Sequence, residues 1–178
     1  MTFYPPTAFH FRVVLLDSDG LPGLASLFDG SFQDVSGIEA RLGTEDVPEG
    51  GENRFVHRLP VRAAYSNLVL KRGILTTGSP LAHWVETSIG NNLARPIKPR
   101  DLLVMLLDKS RLPLVTWHFT HAYPVRWETS SLNSTESSVL TETLELAYHR
   151  FERTVIPPFV LDAISAGAGA VASAVTGG

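Results

Sequence analysis

The chain has 178 residues, 44% of them hydrophobic, and its 15 basic and 18 acidic residues give a formal net charge of −3. This length allows one domain with a real core but no second catalytic domain, and the mild acidity argues against nucleic acid as the main partner. The chain contains no cysteine, which rules out disulfides and thiolate metal sites. The N-terminus lacks the pattern of a signal peptide, and the longest apolar run, residues 102–107, is far below the roughly 18 residues that cross a bilayer. We therefore expect a soluble protein without stable membrane association.

Alternating apolar and polar residues predict the first two strands. The first strand covers residues 9–15 and ends at a turn, Asp17-Ser18-Asp19-Gly20, and residues 21–30 are expected to form a connection. The second strand begins at Phe32, and its alternation changes phase at Gly37. A glycine at a change of phase predicts a β-bulge or a barrel corner.

The segment from residue 48 to residue 73 is the most informative part of the chain. Gly50 and Gly51 accept positive φ at little steric cost, so the surrounding residues 49–53 predict a hairpin tip or a protruding loop. In the strand that follows, one face is apolar and is expected to be buried: Phe55, His57, Leu59 and Val61. The opposite face carries cations at Arg54, Arg58 and Arg62.

The second half of the chain contains the one predicted helix and the remaining strands. Ser79 and Pro80 are typical of a helix start, and apolar residues then recur at helical spacing until Gly90. Residues 102–107 predict a central strand, and alternation at 115–119, 125–127 and 140–148 predicts further strands. About seven strands with one short α-helix predict a mainly β protein, an antiparallel β-barrel or sandwich.

A composition change at Pro157-Pro158 divides the chain into a β-barrel domain, residues 1–156, and an Ala/Gly-rich C-terminal tail, residues 157–178. The tail has too few large apolar side chains to offset the entropy of ordering it. We expect it to be mobile in an isolated subunit and dispensable for the barrel.

The candidate chemical groups do not form a catalytic or metal-binding pattern. His118 and His121 are three apart, a spacing that places them on opposite faces of a strand. An acidic cluster lies on an exposed strand face and at a loop tip, where nothing separates the pKa values of its members: Glu39, Glu45, Asp46, Glu49 and Glu52. We predict no catalytic residue, no cofactor and no metal site, and expect that the protein is not an enzyme.

Several segments carry a family resemblance: EGGENRFVHRLPVR followed by NLVLKRG, with FQDVSGIEA upstream and LELAYHRF near the end. Together they resemble the inner tube proteins of contractile injection systems, which include the phage T4-type tail tube and the tubes of extracellular phage-tail-like particles. The resemblance implies an Hcp-like barrel that forms hexameric rings, stacked into a hollow conduit for cargo delivery. It also implies sheath, baseplate and cap proteins as partners. Val47-Pro48 departs from the family, whose members often have an aromatic and a charged residue there.

The resemblance places the contact between subunits or rings at the Gly-Gly loop and the residues beside it. These are Val47, Pro48, Glu49, Gly50, Gly51, Glu52, Asn53, Arg54 and Arg58, with Glu49 and Glu52 placed to meet cations such as Arg54 or Arg58 of a neighbour. It also implies assembly in the bacterial cytoplasm, and then a place in a phage tail or a released extracellular particle. The alternative that the sequence leaves open is a monomeric β-barrel that binds a small-molecule ligand in its interior.

Overall fold

A computed structural model describes residues 10–16, 31–51, 54–74, 79–90, 96–131 and 139–156. The strands of this part are β1 (His10–Leu15), β2 (Ser31–Phe32), β3 (Asp34–Ser36), β4 (Ala40–Val47), β5 (His57–Tyr65), β6 (Leu68–Gly73), β7 (Arg100–Leu107), β8 (Pro113–Thr129), β9 (Thr141–Ala147) and β10 (Arg150–Val155). The one helix there is α1 (Pro80–Ile89). The predicted mainly β fold with a single short helix is confirmed. The predicted turn at 17–20, the connection at 21–30 and the tail at 157–178 lie outside the described residues.

Eight of the strands form one antiparallel sheet that closes on itself. Its order is β2-β1-β7-β8-β9-β6-β3, and β10 is added alongside β8. Only Gln33 separates β2 from β3, and its backbone N–H donates to the Lys71 carbonyl of β6 at 2.8 Å. Because β2 pairs with β1 and β3 pairs with β6, the bent strand 31–36 joins the two ends of the sheet and produces a barrel.

The barrel interior is filled by the inward residues of the alternating strands. Leu68 and Leu70 of β6 lie opposite Leu146 and Leu144 of β9, and all four are fully buried. The fully buried core residues contributed by β7 and β8 are Leu102, Val104, Phe119 and Ala122. The strand predicted at 102–107 is confirmed as a central strand, because β7 lies between β1 and β8.

The helix begins and ends where the sequence predicts. Ser79 Oγ accepts the Ala82 backbone N–H at 3.1 Å, which caps the first turn, and Pro80 occupies the first helical position. Leu81, Trp84 and Val85 are buried in the barrel core, so α1 uses its apolar face to extend that core. This helix is too short to span a membrane, and the described part of the chain has no other candidate for a membrane-crossing helix.

Candidate assembly surface

A β-hairpin formed by β4 and β5 projects from the barrel. Within the described residues these two strands pair only with each other, as a separate two-stranded antiparallel sheet. The chain passes from β3 into β4 through residues 37–39 and from β5 into β6 through Ser66 and Asn67. One long ribbon therefore has its lower half, β3–β6, in the barrel wall and its upper half, β4–β5, outside it.

A β-bulge interrupts the pairing of this projecting hairpin. Leu42 lies opposite Ala63 and Thr44 lies opposite Pro60, so one extra residue of β5 is accommodated at Gly43. A Cβ atom on Gly43 would approach Val61 Cγ2 to 2.8 Å. Glycine at this position permits the bulge, which increases the local twist of the hairpin.

The hairpin exposes large apolar side chains. The exposed fraction is 62% for Leu42, 52% for Phe55 and 52% for Leu59, and every residue of β5 is exposed. Val47, Val56 and Val61 of the same hairpin are also exposed. The expectation that the apolar face of this strand is buried is therefore wrong for the single subunit, because no other described element packs over the hairpin beyond Tyr65 at its base. Apolar surface of this kind marks a site of interaction.

The polar groups near the tip pair within the hairpin. Arg58 Nε lies 3.4 Å from Asp46 Oδ1, on the residue directly opposite in the register, and His57 Nε2 lies 3.4 Å from Glu49 Oε1. The Phe55 and His57 rings meet edge to face with centroids 5.1 Å apart. Glu49 and Arg58, which the sequence assigned to contacts with a neighbour, thus each have a partner in their own subunit, and these exposed pairs add little to its stability.

The structure brings the described members of the sequence-predicted interface together near this tip. Val47 ends β4, residues 48–51 lie in the connection, Arg54 precedes β5, and Arg58 lies in β5. Glu52 and Asn53 lie outside the described residues. Gly51 has φ +98, whereas Gly50 has no positive φ, and a Cβ at either position would meet nothing within 4 Å. The requirement for glycine at the tip is therefore conformational, and it applies to Gly51.

Side-chain hydrogen bonds lie at the base of the hairpin. The Glu39 carboxylate accepts hydrogen bonds from Arg41 Nε at 2.5 Å and from Ser66 Oγ at 2.9 Å. Both bonds lower the pKa of Glu39, and the bond from Arg41 has the larger effect. Asn67 Nδ2 donates to Glu145 Oε1 of β9 at 2.8 Å. Both strands of the hairpin are thus connected to each other and to the barrel wall at their point of exit.

Aromatic rings pack beneath the same point. The Tyr65 ring lies 5.7 Å from Tyr148 and 5.9 Å from Phe151, between centroids, and Tyr148 lies 4.8 Å from the buried Phe119. The Tyr148 hydroxyl donates to the Gly37 carbonyl at 3.4 Å, and burial raises the pKa of Tyr148.

Gly37 marks the corner at which the chain leaves the barrel. Its φ is +80, and a Cβ there would lie 1.9 Å from the Asn67 carbonyl oxygen. The predicted bulge or corner at Gly37 is confirmed as a corner between the barrel wall and the hairpin.

Sequence reasoning missed a buried ion pair inside the barrel. Arg72 and Glu142 lie opposite each other in β6 and β9, both are buried, and Arg72 Nε donates to Glu142 Oε1. Arg72 Nη2 also donates to Ser79 Oγ at 2.9 Å, and Trp127 Nε1 donates to Glu142 Oε2 at 3.4 Å. The signal was present in the sequence, since both residues continue the alternation of inward leucines: Leu68, Leu70, Leu144 and Leu146.

The histidines singled out from the sequence share one carboxylate. His118 Nε2 lies 3.2 Å from Asp101 Oδ2, and the backbone N–H of His121 donates to Asp101 Oδ1 at 2.9 Å. Within the part of the chain that the structure describes, no group of three or more His, Cys, Asp or Glu residues is placed to hold a metal ion. Asp101 here ties the start of β7 to a kink in β8 at His121, whose φ is +53.

A family model decides what kind of protein this is. The model of the T4-like virus tail tube protein gp19 matches residues 7–152, most of the chain and all but a few residues of the described barrel and hairpin. The chain belongs to this tail tube family. The family consists of structural tube proteins, so the interpretation as a tube protein is confirmed.

Solved structures agree with membership of the tail tube family. A chain in the anti-feeding prophage baseplate structure has a TM-score of 0.69 and 29% identity, over 86% of this chain and 98% of that chain. A chain in the PVC sheath-tube complex in its extended state has a TM-score of 0.68 and 20% identity, over 86% and 93%. A type six secretion system protein has a TM-score of 0.56 and 14% identity, over 84% and 85%. The last two show the shared fold alone. No curated protein sequence gives a significant match.

The prediction of a structural tube subunit of a contractile injection system is confirmed by the family match together with the anti-feeding prophage structure. Two of the similar chains come from a baseplate structure and from a sheath-tube complex.

Proposed function

We propose that this tail tube protein forms hexameric rings that stack into the hollow conduit of a contractile injection system, and that the β4–β5 hairpin supplies the main contact between copies. The observation that carries the proposal is the set of exposed apolar side chains on the part of the hairpin beyond Tyr65, which no described element of its own subunit covers. The six-fold symmetrised baseplate structure, which contains a chain 29% identical to this one, supports the six-fold number.

The physics of a free hairpin favours a partner. An isolated two-stranded hairpin is at best marginally stable in water, and it gains stability when a hydrophobic face packs against something else. In an assembly of identical subunits, a neighbouring copy of the chain can cover the apolar residues of each hairpin. Because the hairpin projects to one side, it would meet a different surface on its neighbour, and such head-to-tail contacts produce rings or open stacks.

The proposed interface keeps the residues assigned from sequence and adds the apolar surface that the structure reveals. The first set is Val47, Pro48, Glu49, Gly50, Gly51, Glu52, Asn53, Arg54 and Arg58. Leu42, Phe55, Val56, Leu59 and Val61 join it because they are exposed on the same hairpin. The ion pairs Arg58–Asp46 and Glu49–His57 would then flank an apolar contact rather than form its centre.

The role we propose is passive in chemistry. Sheath, baseplate and cap proteins are the proposed partners, as in the assemblies that contain the similar chains. Cargo would travel in the lumen. We place assembly in the bacterial cytoplasm and the finished tube in a phage tail or an extracellular particle.

The competing interpretation was a monomeric barrel with a ligand inside. The barrel interior is occupied by the chain's own buried side chains, among them Leu70, Phe119 and Leu144. This packing favours the tube over the ligand-binding barrel.

The test is to place a charge on the hairpin and compare it with a charge on the barrel. Leu59→Asp should yield folded subunits that form few or no rods, because the carboxylate cannot be desolvated in an apolar contact. The matched control is Val155→Asp in β10, whose side chain is 56% exposed against 52% for Leu59. Negative-stain microscopy and sedimentation measure assembly, and circular dichroism reports the fold. Normal rods from Leu59→Asp, or an equal loss in both variants, would contradict the role given to the hairpin.

A further inference from the structure

The direction of the hairpin depends on a small joint at its base. Within the described residues no third strand pairs with β4 or β5, so the rest of the barrel does not hold the hairpin along its length. The nine residues of β5 span about 30 Å at roughly 3.3 Å per residue. A rotation of about 10° at the base would therefore move the tip by about 5 Å, as much as the spacing between neighbouring strands.

The first half of this joint is polar. Glu39 receives hydrogen bonds from Arg41 on β4 and from Ser66 in the link between β5 and β6, so its carboxylate clamps the two strands of the hairpin together. Asn67, the next residue of that link, donates to Glu145 of β9. This second bond connects the hairpin to the barrel wall.

The second half is a tightly packed corner. The Asn67 carbonyl oxygen occupies the place that a Cβ atom at position 37 would take. The Gly37 carbonyl accepts a hydrogen bond from the Tyr148 hydroxyl. Tyr65, the last residue of β5, rests against Tyr148 and Phe151. We infer that the packed corner limits how far the hairpin can bend toward the barrel. The polar contacts then favour one angle between the hairpin and the barrel wall.

We propose that Glu39, Asn67 and Glu145 are positioning residues for tube assembly, which hold the hairpin at the angle needed to meet a neighbouring copy. The inference rests on the proposed function of the hairpin as the contact between copies. The Glu39 and Asn67 bonds are at least partly open to solvent, and such bonds add little to the stability of a domain. We expect these bonds to act on the direction of the hairpin, because a small change of angle at its base produces a large displacement of its tip.

Spin labels can measure this angle directly, since the chain contains no cysteine. Val47→Cys places one label near the hairpin tip, and Glu86→Cys places the other on the exposed face of α1. Distances are measured by pulsed electron resonance on the full chain, diluted with unlabelled protein below the concentration at which rods form. The background with both cysteines should give one narrow distance distribution.

Breaking and restoring one bond then tests the joint. Asn67→Asp sets two carboxylates against each other and should broaden the distribution or move its maximum by about 5 Å. Adding Glu145→Gln to Asn67→Asp restores one donor and one acceptor with their roles exchanged, and should return the narrow distribution. Glu39→Ala should broaden it independently. Lys109→Gln, in the exposed turn between β7 and β8 and outside every contact named for the joint, is the control and should change nothing.

Assembly is measured on the same substitutions without labels, and thermal unfolding confirms that the barrel is intact. Rod formation should fall in Asn67→Asp and recover in the double variant. Unchanged distances in both Asn67→Asp and Glu39→Ala would overturn the positioning role. Altered distances with normal rods would overturn the link to assembly, and would count against the hairpin contact itself. Lost rods with unchanged distances would place these residues in the interface rather than in a joint.

Discussion

The barrel wall and the projecting hairpin are two halves of one ribbon, and they use the same alternating pattern differently. In β6, Leu68 and Leu70 are fully buried by the opposite strands and the core. In β5, one link away along the chain, Leu59 and Val61 have the same spacing of two residues and remain exposed. Alternation specifies a strand with one apolar face. It does not specify whether that face is covered by the same chain or by another.

The chain passes from the exposed hairpin to the buried barrel wall within three residues. Tyr65 is partly exposed and rests on the aromatic cluster, whereas Leu68 is fully buried. Ser66 and Asn67, which lie between them, carry the polar contacts of the joint. The hairpin is therefore anchored by specific contacts at its base rather than by a shared core, which allows the barrel and the hairpin to respond separately to substitution.

The largest expected effect separates the two regions by stability. Phe119→Ala should lower the free energy of unfolding by about 3–5 kcal/mol, because it leaves a cavity beneath Tyr148 in the barrel core. Leu59→Ala should lower it by less than about 1 kcal/mol, since that side chain is already half exposed in the subunit. Denaturant titration of unassembled protein measures both. A comparable loss in the two variants would show that the hairpin belongs to the folding core.

Much of the fold could be predicted from local signals. The helix start at Ser79-Pro80, the central strand β7 and the corner at Gly37 all depend on residues close in sequence, and each is confirmed. The loop at the hairpin tip was also located correctly.

What escaped prediction depends on contacts distant in sequence. The pairing of Arg72 with Glu142 joins residues 70 positions apart, and only the register of β6 against β9 places them together in the core. The joint likewise depends on Asn67 meeting Glu145, 78 positions along the chain. The exposure of β5 depends on the absence of any other described element over the hairpin, which no pattern within the strand can report.

A smaller effect is expected at the hairpin tip, where the two adjacent glycines provide a matched pair. Gly51→Val should reduce rod formation, because a β-branched residue at φ +98 is strained by about 1–3 kcal/mol and would reshape the tip. Gly50→Val should be better tolerated, since the Gly50 φ is not positive and a Cβ there meets open space. Rod yield by microscopy and sedimentation compares the two. Equal yields would remove the conformation of Gly51 from the requirements for assembly.

The smallest effect is a loosening of the joint by acid. Hydrogen bonds from Arg41 and then Ser66 hold the pKa of Glu39 below its ordinary value of 4.5. A carboxylate whose pKa is lowered in the folded state stabilises that state above its ordinary pKa, and the contribution is lost as the pH falls through the lowered value. The tip-to-helix distance distribution should therefore stay narrow from pH 7 to about 5 and broaden below pH 4.5. Glu39→Gln should be broader already at pH 7 and change less on acidification, whereas Glu152→Gln on β10 should follow the unsubstituted chain. The difference between these profiles isolates Glu39 from the other carboxylates that titrate in the same range, and identical profiles for Glu39→Gln and the unsubstituted chain would show that its charge has no part in setting the hairpin angle.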